Sequence, residues 1–316
     1  MLDATKIMKR HPKNPLITPD CIPGTYAVFN PSPVMYQDKT ILALSIYPHD
    51  MRKFEAGGIY IAASDDGIHF DIRHEKPFID ISSCEYPFSL IKGIFIDCRI
   101  TKIEDTYYIL TPMSIDGEGP FAVMGSTKDF ETYTPIEIVS LPSNRGSSLF
   151  PEKINGQYYR LERPTADSNH PGSIWISSSP DLIHWGCYRP ILQPGYSIWN
   201  IIKIGPTPPI KTKDGWLVVI HGVTSWMHSD YHYHIGAVLL DLENPNKVIG
   251  RTRSYLLAPE TDYEINGIVD NVCFPCGAIG DLEKDELRIY YGGADKCICL
   301  AAGALSEVVE ACKREL

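Results

Sequence analysis

No apolar run in the 316-residue chain approaches the length of a membrane span, and the N-terminal MLDATKIMKRHPKNP has basic residues without the apolar core of a signal peptide. A cytoplasmic location with no membrane partner is expected. Positive charge is also scarce: 29 Lys and Arg against 39 Asp and Glu leave a formal net charge of −10. That balance excludes nucleic acid as the main partner, because gripping a phosphate backbone takes a basic surface. The cysteines lack a framework. There are nine, an odd number at irregular spacing, which suits a reducing compartment rather than a disulfide scaffold. Cys273 and Cys276 form one CxxC inside the apolar NVCFPCGAI, with no second CxxC or HxxxH to complete a zinc site. They read as core residues, and no metal is expected. No Gly/Ser linker, charge block or low-complexity tract divides the chain, so residues 1–316 are read as a single domain.

What the chain does have is a hairpin, five times over. The copies are NPSPVMYQDKTILALSI from Asn30, DCRITKIEDTYYILTPM from Asp97, FPEKINGQYYRLERP from Phe150, PPIKTKDGWLVVIHG from Pro208 and FPCGAIGDLEKDELRIYYGGAD from Phe274. In each, a short apolar stretch enters a polar turn (Asp38, Asp105, Asn155, Asp214, Asp285) and an apolar or aromatic strand returns. YIAASDDGIHF, AVMGSTKDFETY and IWISSSPDLIHW follow the first three copies and share a strand, an Asp turn and an aromatic, as outer strands of the same unit would. The spacing is too uneven for a strict solenoid. Small antiparallel sheets repeated around an axis are the propeller solution to exposed sheet edges, so the expected fold is all-β, a five-bladed β-propeller. ALSEVVEACKREL has apolar residues at helical spacing and predicts a short C-terminal helix, either capping the propeller or meeting a second subunit of a homo-oligomer.

Innermost strands of a propeller line its central channel, so equivalent strand ends converge although far apart in sequence. Those ends carry Asn30, Asp97, Arg99, Arg145, Arg163, Lys211, His221 and Asp295. Any one alone would be an ordinary surface charge; their recurrence makes the set a candidate site. Against an acidic background, converging Arg and Lys point to one small anion. Asp97 is the best acid candidate: IFIDCRI places it at a strand start between apolar neighbours, with Arg99 on the same face. A structural ion pair between the two is the alternative.

VFNPSPV, the Asp and Arg of IDCRI, NRGSSLFPEKINGQYYRLERP, SIWISSSPDLIHWG, KIGPTPPIKTKDGWLVVIHGV, YHIGAVLLDLENPNKVIGRT, and VDNVCFPCGAI with YYGGAD together resemble glycoside hydrolase family 130, in order from about Asn14 to Leu300. That family comprises mannoside phosphorylases and related mannosidases. The resemblance implies an active site in the central channel. Asp97 would be the catalytic acid, acting through a sugar hydroxyl that relays its proton. Arg145, Arg163 and Lys211 would hold phosphate. Asn30, Arg52, Arg99, His221, Tyr233, Phe274 and Asp295 would line the sugar sites, and His170 the acceptor side. The implied reaction is inverting phosphorolysis of a β-mannoside, β-1,2-mannobiose or a short β-1,2-oligomannan, giving α-mannose 1-phosphate. Inorganic phosphate is then a co-substrate and no cofactor is needed. The family's Glu-Asp-Pro-Arg is here Ile96, Asp97, Cys98 and Arg99, and Gly146 stands where a polar residue is common. One rival is an inverting β-mannosidase with Glu152 or Glu162 activating water. The other is a noncatalytic carbohydrate-binding propeller, for which the 18 Tyr and 5 Trp would serve as stacking surfaces. The segment 223–234, VTSWMHSDYHYH, reads as an acceptor wall or an oligomer contact.

Overall fold

The computed structural model describes residues 3–50, 57–116, 118–164, 172–195, 201–225 and 230–313. A two-residue strand, β1 (Lys9–Arg10), opens the chain, and five antiparallel sheets follow. Blade I holds β2 (Thr25–Tyr36), β3 (Lys39–Pro48), β4 (Gly58–Ser64) and β5 (Asp71–Arg73). Blade II holds β6 (Ile91–Lys92), β7 (Arg99–Ile103), β8 (Thr106–Ile115), β9 (Glu118–Thr127) and β10 (Thr134–Ile138). Blade III holds β11 (Asn144–Leu149), β12 (Tyr158–Pro164), β13 (Ile174–Ser179) and β14 (Gly186–Leu192). Blade IV holds β15 (Lys203–Pro206), β16 (Ile210–Lys211), β17 (Trp216–Ser225), β18 (Tyr231–Leu240) and β19 (Val248–Arg251). Blade V holds β20 (Cys273–Pro275), β21 (Ile279–Asp281), β22 (Glu286–Gly293) and β23 (Cys297–Ala304), and β1 supplies its outermost strand. The expected five-bladed propeller is the fold observed.

Two turn chemistries recur among the blades. All five predicted hairpin turns join an inner-edge strand to the next strand of its blade: β2 to β3, β7 to β8, β11 to β12, β16 to β17 and β21 to β22. At Gln37-Asp38 and Asn155-Gly156 both central residues have positive φ, the conformation that matches the twist of a tight hairpin. Between third and fourth strands an aspartate instead folds the chain around its own carboxylate. Asp66 Oδ1 accepts from the N–H groups of Ile68 and His69, Asp129 Oδ1 from Glu131 and Thr132, and Asp181 Oδ1 from Ile183 and His184. Asp241 does the same with Glu243 and Asn244, a fourth copy the sequence comparison of segments had not singled out. These backbone donors hold Asp66, Asp129 and Asp181 below the usual carboxylate range.

The core lies between blades, one apolar cluster to each of the five interfaces. Strand pleating distributes the residues. Along β3, Ile41 and Ala43 pack toward blade II while Leu42, Leu44 and Ile46 pack toward blade V. Along β17, Trp216, Val218 and Ile220 face blade III, and Leu217 and Val219 face blade V. Central strands buried on both faces read as unbroken apolar runs such as TILAL and WLVVI, and only strand ends are left for polar work. Cys273 and Cys276 are fully buried, as a structural reading of the CxxC requires. The expected C-terminal helix is α2 (Leu305–Lys313), following the single turn α1 (Asp262–Ile265). It buries Leu305, Val308 and Val309 in the blade IV–V cluster, and the blade V turn residue Asp285 receives its Ser306 N–H at 2.7 Å.

Ring closure depends on a buried ion pair. Beside β1, Arg10 donates to Glu264 Oε1 and Oε2 at 2.8 and 3.0 Å, and to Glu260 Oε2 at 2.9 Å. Glu264 is wholly buried, and Tyr291 of β22 donates its hydroxyl to the same carboxylate at 2.6 Å. Burial alone would raise the Glu264 pKa; the bonds from Arg10 and Tyr291 outweigh it and hold the group ionised. Removing one partner of such a pair strands the other charge. Arg10→Ala is expected to lower the free energy of unfolding by about 3–5 kcal/mol, read from the shift in denaturant midpoint, with the far-ultraviolet spectrum of the folded protein unchanged.

Candidate active site

The predicted strand ends meet in the channel around Asp97. Asn30 of β2 donates from Nδ2 to Asp97 Oδ1 at 2.8 Å, and Arg145 of β11 brings Nη2 to 3.8 Å from Oδ2. Asn30, Asp97 and Asp295, from three different blades, all have positive φ, at 48°, 57° and 50°. Asn and Asp are the L-residues that tolerate this region best, and strained backbone gathers where a side chain must be aimed. Close approach is built in beside them. A Cβ at Gly292 would lie 2.5 Å from Asn30 Oδ1, and one at Gly205 would collide with the His221 ring.

Like charges are forced together here. Arg145 and Arg163 are direct partners across the β11–β12 ladder, where opposed charges of one sign destabilise a sheet. Burial, then Arg145 and Arg99, lowers the Arg163 pKa to about 10. Lys203, at the start of β15, is pushed down to about 8 by burial, then by Arg163 and Arg145. Burial and the same cations hold the His221 ring well below its ordinary value, so it is a neutral imidazole. Asp295 moves the other way, up to about 7, through burial and the nearby Asp97. Such a cluster accepts an anion readily, since each cation is already partly stripped of water.

One wall is aromatic. His221 lies 4.4 Å centroid to centroid from Phe274 and 6.4 Å from Tyr233, and the Tyr233 hydroxyl accepts from Lys203 Nζ at 2.9 Å. Neither ring nitrogen of His221 has a partner among the described residues, although the side chain is buried. A donor and an acceptor are thus offered beside an apolar face, the combination a sugar ring with its hydroxyls requires.

Several expectations need correction. Lys211 does not join the cluster: it lies at the turn end of the blade IV inner edge, pairs with Glu152 at 2.5 Å and faces the Trp216 ring. Lys203, at the opposite end of that edge, occupies the site instead. Thr207-Pro208-Pro209 breaks the edge between β15 and β16, and aligning the hairpin from Pro208 selected the wrong lysine. Arg99 does not pair with the Asp97 carboxylate. Its Nη1 donates to the Asp97 carbonyl at 2.6 Å and its Nε to Pro206 of blade IV at 3.2 Å, so it ties two blades together beneath the site. Gly146 is explained by its φ of 71°, a left-handed backbone that favours glycine, and not by space, since a Cβ there would make only an ordinary contact with the Arg99 guanidinium at 3.4 Å. Tyr47 of β3 was missed as well. It packs on Phe29 at 4.9 Å, and burial together with Asp97 raises its pKa. Arg52 and His170 lie outside the described residues, as does part of the 223–234 segment.

The two glutamates considered as hydrolytic bases are committed elsewhere. Glu152 is bound to Lys211. Glu162 is buried, takes Arg160 Nη2 at 3.1 Å and Asn144 Nδ2 at 2.5 Å, and is hydrogen-bonded by Ser177 as well.

Comparison with known proteins gives the same picture from another direction. The profile of glycoside hydrolase family 130, described as beta-1,4-mannooligosaccharide phosphorylase, matches residues 3–314. A beta-1,4-mannooligosaccharide phosphorylase of Ruminococcus albus is 34% identical over 98% of this chain and 91% of its own. A beta-1,2-mannobiose phosphorylase of Listeria innocua is 40% identical over 79% of this chain and 67% of its own. A structure of beta-1,2-mannobiose phosphorylase from Listeria innocua, in complex with beta-1,2-mannobiose, superimposes with a TM-score of 0.85 at 32% identity, covering 98% of this chain and 99% of the other.

The electrostatics fix two outcomes. Lys203→Ala is expected to weaken binding of inorganic phosphate about tenfold or more, the loss of one charge-assisted contact, whereas Lys211→Ala leaves it within about twofold; titration calorimetry separates the two. Lys203 is charged below about pH 8 and neutral above it, and Asp295 is neutral below about pH 7 and ionised above it. Both changes subtract positive charge as pH rises. Binding of sulfate, whose own charge is constant in this range, is therefore expected to weaken from about pH 6 to about pH 9, with the upper part of the profile flattened in Lys203→Met.

Proposed function

Because the chain belongs to glycoside hydrolase family 130, we propose that it is an inverting β-mannoside phosphorylase acting on β-1,2-mannobiose or a short β-1,2-oligomannan. The observation that carries the reading is the pairing of Arg145 with Arg163 in register, joined by Lys203, in a channel that also holds Asp97. An anionic nucleophile needs neutralising rather than deprotonating, and these three cations supply that. Hydrolysis with inversion would instead need a second carboxylate free to activate water. Glu152 and Glu162 are not free to do so. Asp295, raised to about 7, is suited to hydrogen-bonding a sugar hydroxyl.

In the proposed step a phosphate oxygen held by Arg145, Arg163 and Lys203 attacks the anomeric carbon on the face opposite the departing sugar. The new carbon–oxygen bond forms as the glycosidic bond breaks, and the electron pair of the broken bond passes to the leaving oxygen. Asp97 supplies the proton that this oxygen takes up, and is left as a carboxylate. With Asn30 Nδ2 bound to Oδ1, Oδ2 is the oxygen placed to carry that proton. The β-mannoside yields α-mannose 1-phosphate and a shortened acceptor. Tyr233, His221 and Phe274 form the sugar wall, and inorganic phosphate is the co-substrate. All nine cysteines are free thiols, which supports assigning the enzyme to the reducing cytoplasm.

Anomer-resolved NMR with β-1,2-mannobiose, run with and without inorganic phosphate, tests the proposal. α-Mannose 1-phosphate appearing only with phosphate is the expected result. The β-phosphate would refute the direction of attack, and free mannose formed equally without phosphate would make the protein a hydrolase. Asp97→Asn is expected to lower kcat by about 10²–10⁴-fold while sugar binding persists, because the proton source is lost and the shape kept.

A further inference from the structure

Asp97 stands two residues before β7 begins, with φ of 57°, and its backbone N–H donates to the side-chain oxygen of Ser45 at 3.0 Å. Ser45 lies in β3, the second strand of blade I, and is completely buried. Pleating points it toward blade II with Ile41 and Ala43. Among the described residues, the other hydrogen bonds of Asp97 are from the Asn30 amide to Oδ1 and from the Arg99 guanidinium to its carbonyl. Ser45 thus completes the fixing of the residue at its amide, from a neighbouring blade, and Oδ2 stays open toward Arg145 at 3.8 Å.

We propose that Ser45 is a positioning residue for proton donation: its hydroxyl oxygen holds the Asp97 amide and so sets the direction in which Oδ2 delivers its proton. The proposal rests on the reading of Asp97 as the acid. Blade I provides its own control. Ser32 of β2 is equally buried, and its hydroxyl accepts the Ile100 N–H at the same 3.0 Å. It grips the same segment at a residue whose side chain belongs to the core between blades I and II. Loss of either hydroxyl removes the acceptor of a blade II backbone N–H, and of the two serines only Ser45 holds the residue that carries the proton.

The test compares two substrates in the presence of phosphate. The mannose released from β-1,2-mannobiose would depart as an unstable alkoxide without the acid and so needs its proton, whereas the group released from 4-nitrophenyl β-mannoside departs as a stabilised phenolate and needs it little. Ser45→Ala is expected to lower kcat on mannobiose about 10–100-fold, to lower it much less on the nitrophenyl substrate, and to leave the phosphate KM within about twofold. Ser45→Thr keeps the acceptor and is expected to restore most of the rate; Ser45→Cys, close in size but a weak acceptor, serves if the alanine variant does not fold. Ser32→Ala is expected to affect both substrates alike. Equal losses on both substrates in Ser45→Ala or Ser45→Cys, with Asp97→Asn still selective for mannobiose, would overturn the positioning role alone. Equal losses in Asp97→Asn as well would overturn the acid and the role of Ser45 together.

Discussion

Arg145 opposite Arg163 is the constraint around which the channel is organised. Two guanidinium groups in register on neighbouring strands repel, and burial of Arg163 denies them the water that would screen the repulsion. Its field reaches the neighbouring groups. Burial first, and then this pair of cations, drives Lys203 and His221 toward neutrality, and Arg145 reaches to 3.8 Å from the Asp97 carboxylate. The pair is tolerable because the fold places it at strand ends facing the channel, where an anion can enter, and not between blades. Phosphate bound there would relieve repulsion already present in the empty protein, so part of its affinity is prepaid by the fold.

Positions of the blades were legible because turn chemistry is local. A positive φ at Asp38 or Asn155, or a carboxylate wrapped by the next amides at Asp66, is written in a few adjacent residues. Burial on both faces was legible too, as unbroken runs in β3 and β17. The site was legible where a charged residue sits at or just before a strand end beside an apolar run, Asp97 after IFI and Arg145 before SSLF, and where the hairpin partner Arg163 closes the returning strand. It was not legible where the edge is interrupted. Blade IV splits its inner edge at Thr207-Pro208-Pro209, and the hairpin pattern then favoured Lys211 over Lys203. Tyr47 and Ser45 escaped notice for a different reason: they belong to a second strand, and reach the channel or its acid through pleat direction, which no repeat comparison reports. Arg99 was expected to line the sugar sites, with an ion pair to Asp97 as the alternative, and a guanidinium two residues from a carboxylate gives no sign that it will choose the carbonyl.

The divergences from the family pattern also have local causes. Cys98 stands between the acid and Arg99 as a fully buried thiol, filling apolar space between blades I and II. Gly146 supplies a positive φ beside the guanidinium that braces blade II to blade IV. Both departures sit behind the charged surface of the channel rather than on it, so they alter how the acid is supported more than what it faces.

Closing the ring with β1 imposes an order on the birth of the molecule. On the ribosome Lys9 and Arg10 emerge with all five blades still to follow, long before their partners Ala302 and Ala301. Contacts so distant in sequence form late and slow folding. A growing chain therefore holds Asn30, Asp97 and both arginines long before Phe274 and Asp295 exist, with the blade I surface of Val28, Leu42 and Leu44 awaiting blade V. The aromatic contact of Phe274 with His221 arrives only with blade V, so a chain stopped before it would carry Asn30, Asp97, Arg145 and Arg163 without that wall.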